Sequence, residues 1–193
     1  MAKKLIAFMG KSGSGKNTAA DILMDHIELE DKEHFIIQFA FADILKRIIH
    51  NTFNIEEKDA EIIKRTNIKA FNGLTLREVY QRLGEEMKLF LGNDIWARLA
   101  LEQVRNYLMD LKDTKYIICT DLRYTIEKAA LEKFCEDEGI ELYVIHMINK
   151  NDDTQMDHIS EMQFNSIGSD YTIQADNIFE IELQLKEIEN AIF

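Results

Sequence analysis

The sequence of 193 residues contains no proline, two cysteines and one tryptophan. The cysteines, Cys119 and Cys135, are too few for a four-thiolate zinc site. We identify no export signal, because the apolar run Leu5–Met9 is too short, so a disulfide is not expected. No apolar run approaches the roughly 18 residues that a membrane-spanning helix needs. These absences favour a globular, cytoplasmic protein that does not enter a membrane.

Basic residues are also scarce. There are 23 Lys and Arg residues against 35 Asp and Glu residues, which gives a formal net charge of −12 at pH 7. That charge argues against a broad surface for nucleic acid or anionic membranes, because both would be repelled. A small anion can still bind in a local basic pocket. With 46% hydrophobic residues the chain can bury a substantial core, and we predict a single domain over residues 1–193.

Short apolar runs alternate with segments of helical spacing. The runs that predict strands are Lys4–Met9, Phe35–Ala40, Tyr116–Thr120, Glu141–Met147 and Tyr171–Ala175. Strands separated by helices imply a mostly parallel sheet covered on both faces, with ligands at the carboxyl ends of the strands. We therefore predict a three-layer α/β fold with five strands.

Two regions depart from this alternation. Residues from about 54 to 115 have helical spacing throughout, and we predict a helical insertion that either forms one wall of a site or only packs. Residues from about 149 to 169 are polar enough to form a mobile lid. No Arg or Lys occurs between Lys150 and Lys186, and a structural role for His158 is favoured over metal binding.

The stretch "GKSGSGKNT", residues 10–18, follows the first predicted strand and precedes a helical stripe. Strand, glycine loop and helix are the context of a phosphate-binding loop. Gly10, Gly13 and Gly15 allow backbone torsions in which successive N–H groups can bind phosphate oxygens, with Ser14 in the same loop. Lys16 would supply a positive charge where the helix begins. We call residues 10–18 the phosphate loop.

Asn17 stands where the usual phosphate-loop pattern has Ser or Thr. An amide is a weak metal ligand, whereas Thr18 offers a hydroxyl one position later. This departure shifts the expected Mg²⁺ ligands toward Thr18, carboxylates and water-mediated contacts.

The strand "YIICTD" ends in Asp121, and Arg123 and Glu127 follow it. An acidic residue at a strand's carboxyl end can hold Mg²⁺ through water or accept a hydrogen bond from a sugar or base. Arg123 can bind a phosphate through two hydrogen bonds. The alternative is an ordinary strand-to-helix turn with an ion pair.

A second polar set precedes that strand. Lys46 follows the second strand and could reach an anion there, or remain solvated. Arg77, Gln81, Gly84 and Glu85 recur at helical spacing and could bind a nucleotide. An ordinary solvated face is the favoured alternative for that set. Trp96 is as compatible with a core position as with stacking on a base.

The blocks "GKSGSGKNT", "FADILK", "LREVYQRLGEE…NDIW", "TDLRYTIEKAAL" and "DHISE" occur in an order that resembles bacteriophage-type deoxynucleoside monophosphate kinases, members of the P-loop nucleoside monophosphate kinase superfamily. The resemblance spans nearly the whole chain and is weakest between residues 50 and 74. It implies a P-loop kinase fold, Mg²⁺ as cofactor and cytoplasmic location, in the host's cytoplasm if the source is a virus. It also implies transfer of the terminal phosphate of ATP to a deoxynucleoside monophosphate, with no nucleic-acid or membrane partner. A homodimer is left open.

The resemblance also assigns residues. The ATP-binding set would be Gly10, Gly13, Ser14, Gly15, Lys16, Asn17 and Thr18, with Thr18 and Asp121 as metal ligands, directly or through water. The acceptor set would be Lys46, Arg77, Gln81, Gly84, Glu85, Trp96, Asp121, Arg123 and Glu127. Lys16, Asp121 and Arg123 would be catalytic. Glu85 departs from the small hydroxyl residue common in the family.

Two other functions remain open from the residues. A P-loop kinase could use another small acceptor, such as dephospho-coenzyme A or shikimate. A nucleotide-binding switch or assembly ATPase would hydrolyse ATP slowly, without dependence on an acceptor, and would use the helical insertion as a partner surface.

Overall fold

The structure is a computed structural model that describes residues 2–68, 71–151 and 164–193. The chain forms two compact units. We call one the sheet unit, which comprises residues up to Ala40 together with Leu101–Phe193, and the other the helical unit, Phe41–Ala100.

The sheet unit contains five parallel strands in the order β2-β3-β1-β4-β5. Their bounds are β1 Lys3–Met9, β2 Phe35–Phe39, β3 Thr114–Leu122, β4 Ile140–Asn149 and β5 Tyr171–Ala175. The five predicted strands and their parallel arrangement are confirmed. The strands β3 and β4 extend beyond their predicted apolar runs, because both lie inside the sheet and their polar ends still pair with neighbours.

Helices connect the strands of the sheet unit and form the helical unit. In chain order they are α1 Lys16–Glu30, α2 Asp43–Phe53, α3 Glu57–Ile63, α4 Leu76–Leu91, α5 Ile95–Asp110, α6 Thr125–Glu138, α7 Phe164–Ile167 and α8 Ile178–Ile192. In the described parts of the chain, none of these helices is both long and apolar enough to cross a bilayer.

The sheet is covered on both faces, because successive side chains of a strand point to opposite sides. On one face, Ile6 and Phe8 of β1 pack with the apolar stripes of α1 and α8. On the other, α6 packs against β4 and buries Leu131 and Phe134. The three-layer α/β fold predicted from the sequence is confirmed.

The strand order places the carboxyl ends of β3, β1 and β4 side by side. Met9, the last residue of β1, pairs with Leu122 on one side and with His146 on the other. In a parallel sheet this edge is where the loops can converge on a ligand. The phosphate loop leaves the sheet at this edge.

The helical unit has its own core, formed by Leu45, Ile49, Leu76, Ile95 and Trp96 with smaller contributions from α3 and the segment before α4. Its bounds differ from the predicted insertion at about 54–115. It begins earlier, because the apolar side of α2 joins this core, and it ends earlier, because the second half of α5 belongs to the sheet unit.

Candidate active site

The phosphate loop follows a backbone path that a side chain would block. Gly10 has φ of +141°, and a Cβ at this position would lie 2.3 Å from the carbonyl oxygen of Met147. Gly15 has φ of +88° and is the N-cap of α1. A positive φ in this range favours glycine. The backbone therefore requires glycine at both ends of the turn that leads into α1.

Lys16 is enclosed by this loop. Its ammonium group donates to the carbonyl oxygens of Gly10 at 2.7 Å and Lys11 at 2.6 Å, and lies 3.5 Å from the Ser14 hydroxyl. Lys16 and Ser14 are each 7% exposed. A positive side chain at a helix N-terminus, beside a loop of glycines, is the arrangement that binds phosphate groups.

Asn17 and Thr18 occupy the first turn of α1, where Asn17 is exposed and Thr18 is half-buried. Among residues 2–68, 71–151 and 164–193, no group of three or more His, Cys, Asp or Glu residues could hold a metal ion. Mg²⁺ in nucleotide sites commonly uses one or two carboxylates together with substrate phosphates. Thr18 and Asp121 therefore still fit Mg²⁺ bound with a nucleotide, and their role as its ligands stays a prediction.

A bulge distorts the end of β3 where Asp121 lies. Between Ala7 and Met9 the paired residue on β3 advances from Cys119 to Leu122, so three steps on β3 oppose two on β1. Bulges change the direction of side chains and occur often beside active sites. Asp121 is half-buried at the carboxyl edge of the sheet, one strand away from the phosphate loop.

The turn after β3 is held by a buried carboxylate. One carboxylate oxygen of Glu127, Oε2, accepts hydrogen bonds from the backbone N–H groups of Arg123 at 2.8 Å and Tyr124 at 3.0 Å. Glu127 is 8% exposed, and burial, followed by the charge of Asp121, raises the pKa of its carboxyl group to about 8. The side chain of Arg123 is exposed. Asp121, Arg123 and Glu127 thus meet in one turn.

Two polar residues of β4 lie at the same edge, and the sequence analysis missed both. The side-chain amide of Asn149 donates to the carbonyl oxygen of Gly13 at 3.4 Å. His146 is half-buried and pairs with Met9, and burial followed by the positive charge of Lys16 lowers the pKa of its imidazole. His146 lies near the end of the predicted strand Glu141–Met147 and Asn149 lies two residues beyond it, but the sequence did not place this strand beside the phosphate loop.

In the helical unit, Gly84 and Trp96 pack against each other. Trp96 is 7% exposed, and its Nε1 donates to the carbonyl oxygen of Gly84 at 3.1 Å. A Cβ on Gly84 would lie 3.1 Å from Cδ2 of Leu45. Gly84 thus allows α4 to approach α2 closely, and these contacts favour the core interpretation of Trp96. Their predicted roles in acceptor binding stay predictions.

The other predicted residues of α4 lie on its exposed side. Arg77, Gln81 and Glu85 are exposed, and Glu85 accepts from the ammonium group of Lys88 at 2.8 Å. Lys88 itself lies one turn after Glu85, so the pair is an ordinary helical ion pair. The structure thus brings Arg77, Gln81 and Glu85 onto one helix.

Lys46 lies on α2, and its ammonium group is 3.5 Å from a carboxylate oxygen of Asp43. Both side chains are largely exposed, at 41% and 52%. Exposed pairs of this kind contribute little to stability, so the contact leaves Lys46 able to exchange Asp43 for an anionic ligand.

The sequence also did not predict a polar chain in the helical unit that runs from buried His50 to exposed Glu57. His50 is hydrogen-bonded through Nε2 to the Tyr80 hydroxyl, and its Nδ1 lies 3.1 Å from a carboxylate oxygen of Glu57. Burial, then the charges of Glu57 and Glu61, raises the pKa of Tyr80 to about 12. These three side chains tie α2, α3 and α4 together, and no motif in the sequence marks them.

The late block with His158, Ser160 and Glu161 lies outside the described residues, as does most of the predicted lid at about 149–169.

Comparison with known proteins gives the fold a name. No family model and no curated protein sequence matches the chain. Among solved structures, it is similar to a thymidylate kinase from Ehrlichia chaffeensis, with TM-score 0.54 and 15% identity over 98% of this chain and 100% of that chain. An APS kinase from Mycobacterium tuberculosis, in complex with AMPPNP and APS, matches with TM-score 0.49 and 14% identity over 99% of this chain and 98% of that chain. The chain has a P-loop kinase fold.

The site residues fall into two sets, one in each unit. In the sheet unit, the carboxyl edge collects the phosphate loop, the Asp121–Arg123 turn, and His146 with Asn149. In the helical unit, α4 carries Arg77, Gln81 and Glu85 on its exposed side. Gly84 of α4 and Trp96 of α5 are buried in the core of that unit. Chemically, the first set suits a polyphosphate, and the second can supply charge and hydrogen bonds to a second ligand.

Proposed function

We propose that this protein is a kinase that transfers the γ-phosphoryl group of ATP to a deoxynucleoside 5′-monophosphate, which would supply nucleotide precursors for DNA synthesis. The observation that carries the proposal is the enclosure of Lys16 by the phosphate loop, on the same sheet edge as the turn of Asp121 and Arg123. The P-loop kinase fold supports phosphoryl transfer in general. The choice of a deoxynucleotide acceptor rests on the resemblance of the sequence blocks.

The phosphate loop would bind ATP. Gly10, Gly13 and Gly15 leave the loop backbone open to phosphate oxygens, and Lys16 would leave its carbonyl partners to bind the β- and γ-phosphates. The backbone N–H groups of the loop would stabilise the charge that develops during transfer, because the fold orients them before the reaction begins. Asn17 and Thr18 complete the first turn of α1 on this side of the nucleotide.

When bound, Mg²⁺ would neutralise charge on the β- and γ-phosphates, with Thr18 and Asp121 as its protein ligands, directly or through water. The half-buried position of Asp121 in a bulge suits this task, because the bulge fixes the direction of a carboxylate at the sheet edge.

Arg123 would bind the acceptor phosphate. A guanidinium group can make two parallel hydrogen bonds to a phosphate, and Arg123 has an exposed side chain on a backbone fixed by Glu127. The resemblance also assigns Arg77 of α4 to the acceptor nucleotide. Gln81 and Glu85 would bind the sugar or base, and Lys46 would supply a further cation. Gly84 and Trp96 would shape the helix that carries these groups.

The reaction needs no general base. An oxygen of the acceptor phosphate is already an anion near neutral pH, and it would form the new bond to the γ-phosphorus while the bond to the β–γ bridging oxygen breaks. ADP leaves with that bridging oxygen, and the acceptor becomes a diphosphate. The protein's part is positioning and charge neutralisation, by Lys16 on the donor side and Arg123 on the acceptor side.

An ADP-release assay tests the proposal. The purified protein is given ATP and Mg²⁺ with each deoxy- and ribonucleoside monophosphate in turn, and the diphosphate product is identified by chromatography. We expect at least one deoxynucleoside monophosphate to stimulate ADP formation and to be converted to its diphosphate.

Two outcomes would redirect the proposal. Stimulation by dephospho-coenzyme A or shikimate, and by no nucleotide, would keep the kinase and replace the acceptor. Slow ADP formation that no acceptor stimulates, with ATP still bound, would favour a nucleotide-binding switch or ATPase.

A further inference from the structure

Glu127 is oriented toward the protein's own backbone. The resemblance would place this carboxylate around the acceptor nucleotide, yet it is 8% exposed. Its Oε2 accepts hydrogen bonds from the turn, from Arg123 N–H at 2.8 Å and Tyr124 N–H at 3.0 Å. A carboxylate so enclosed has little surface left with which to contact a ligand.

The turn that Glu127 holds is short and is fixed at both ends. Leu122, immediately before Arg123, is fully buried and pairs with Met9 in the sheet. Tyr124, immediately after it, is the N-cap of α6. Arg123 is therefore the residue at which the chain changes from strand to helix, and its backbone N–H is fixed by the Glu127 carboxylate.

A long, exposed side chain can act only where its backbone places it. A displacement of about 1 Å in a positioned group can cost roughly 10²-fold in rate. Resting on the function proposed above, we infer that Glu127 is a positioning residue that holds the backbone of Arg123 and Tyr124, so that the Arg123 guanidinium is presented to the acceptor phosphate. Glu127 itself does not contact the acceptor.

A purely structural role in starting α6 is the alternative, and α8 provides a matched control for it. At the start of α8, the side-chain oxygen of Asn177 accepts from the backbone N–H of Glu180 at 3.0 Å. Asn177→Ala removes a side-chain capping hydrogen bond at the start of a helix outside the Arg123 turn, and it leaves Ile181, the α8 residue that lies beside Gly15, unchanged. Loss of such a cap usually costs about 1 kcal/mol of stability.

The test compares Glu127→Ala, Glu127→Gln and Asn177→Ala by steady-state kinetics, with melting temperatures measured in parallel. We expect Glu127→Ala to lower kcat about 10²-fold while KM for ATP stays within about threefold. Glu127→Gln should restore most of kcat, because its amide oxygen can still accept both N–H groups. Asn177→Ala should lower the melting temperature similarly and leave kcat nearly unchanged.

Two results would overturn the inference with the proposed function intact. One is a kcat for Glu127→Ala that falls no further than that of Asn177→Ala. The other is a Glu127→Gln variant as slow as Glu127→Ala, which would mean that the carboxyl group itself acts on the substrate.

Amide hydrogen exchange gives a readout that does not depend on activity. Loss of the carboxylate should speed exchange at Arg123 and Tyr124 by roughly tenfold or more in Glu127→Ala, and Glu127→Gln should restore protection. If no acceptor stimulates the wild-type protein, the proposed function falls, and exchange alone decides whether Glu127 fixes the turn. Unchanged exchange at both amides overturns the inference.

Discussion

The helices α4 and α6 begin with the same local arrangement, one in each unit. In both, a glutamate at the third helical position accepts a hydrogen bond from the backbone N–H of the N-cap residue, Glu78 from Thr75 and Glu127 from Tyr124. The consequences for the two carboxyl groups are opposite. Hydrogen bonds from the Thr75 backbone, then from its hydroxyl, lower the pKa of Glu78, whereas burial, then Asp121, raises the pKa of Glu127 to about 8.

The opposite pKa shifts of Glu78 and Glu127 reflect what surrounds each helix start. Around Glu78 the contacts favour the ionised carboxylate, as expected of a cap that stabilises a helix. Around Glu127 a second carboxylate and a buried setting oppose ionisation, and such opposition is concentrated at functional sites. Each glutamate lies three residues after its N-cap residue, and the end of β3 distinguishes their surroundings.

The same division extends to Gly84 and Trp96 of the helical unit. Gly84 and Trp96 make contacts that serve packing, while Gly10, Gly15 and Lys16 make contacts that shape an anion site. The sheet unit therefore concentrates polar groups where a ligand would bind, and the helical unit uses its motif residues partly for its core. The following predictions test this division.

Lys16→Ala should have the largest effect. Removing the enclosed ammonium group takes away the fixed charge for the terminal phosphates, and we expect kcat to fall by about 10³-fold or more. Turnover is measured by ADP release, and folding is checked by circular dichroism. Lys112→Ala, on an exposed lysine of the sheet unit, serves as the control and should match the wild type. Substantial turnover by Lys16→Ala would remove the phosphate loop from the mechanism.

Arg123→Ala should have the second largest effect. We expect kcat to be about 10²-fold lower and ATP binding to change little, because the guanidinium acts on the acceptor phosphate. Arg123→Lys keeps the charge but loses the two parallel hydrogen bonds, so we expect it to recover only part of the rate. The measurement is kcat and both KM values at saturating second substrate. If Arg123→Ala turned over as fast as wild type, the acceptor-side role would be wrong.

Glu127→Gln and Glu78→Gln should change stability in opposite directions with pH. The folded protein keeps a proton on Glu127 that the unfolded chain loses, because the pKa rises from 4.5 to about 8 on folding. The free energy of unfolding should therefore fall as pH rises through this window, by an order of a few kcal/mol. At pH 9, Glu127→Gln should be more stable than wild type, and near pH 4 this advantage should vanish.

Glu78 gives the opposite sign. Its pKa is lowered on folding, so its contribution is present above about pH 4.5 and is lost as the pH falls below that value. Glu78→Gln should melt below wild type at pH 7 and approach it in acid. Urea unfolding at several pH values, with EDTA present, measures both variants. Parallel pH profiles for the two variants would contradict the contrast between the two helix starts.

Much of the fold and the position of the phosphate loop could be predicted from the sequence, because the patterns that indicate them lie within short segments. The apolar runs and the loop of residues 10–18 specify strand, turn and helix over a few residues, and the alternation of elements then specifies a parallel sheet. Asp121 and Arg123 are proposed as site residues because they follow an apolar strand at its carboxyl end, and their roles stay predictions. The five predicted strands and their parallel arrangement agree with the structure.

What could not be predicted depends on packing between distant segments. Asn149 contacts Gly13 because β4 lies beside β1, and no single segment of the sequence determines the order of the strands. Neither the burial of Glu127 nor the β3 bulge can be inferred from the run "YIICTD". The sequence makes Gly84 a candidate ligand contact and is compatible with Trp96 either in the core or stacked on a base, because helical spacing shows which residues share a face but not whether that face meets solvent or another helix.

Trp96→Phe should have the smallest effect. It tests whether the motif residues of the helical unit serve packing or bind a ligand. The change removes the hydrogen bond from Nε1 to the Gly84 carbonyl, which the structure places inside the core, and we expect a loss of about 1 kcal/mol. For a chain of this length that loss corresponds to a fall in melting temperature of about 2–4 °C. If Trp96 serves packing, kcat and acceptor KM should stay within about twofold of wild type, since the exposed side of α4 is unchanged. A rise of about tenfold in acceptor KM, with melting temperature unchanged, would instead make Trp96 a base-stacking contact and the helical unit's motif residues direct ligands.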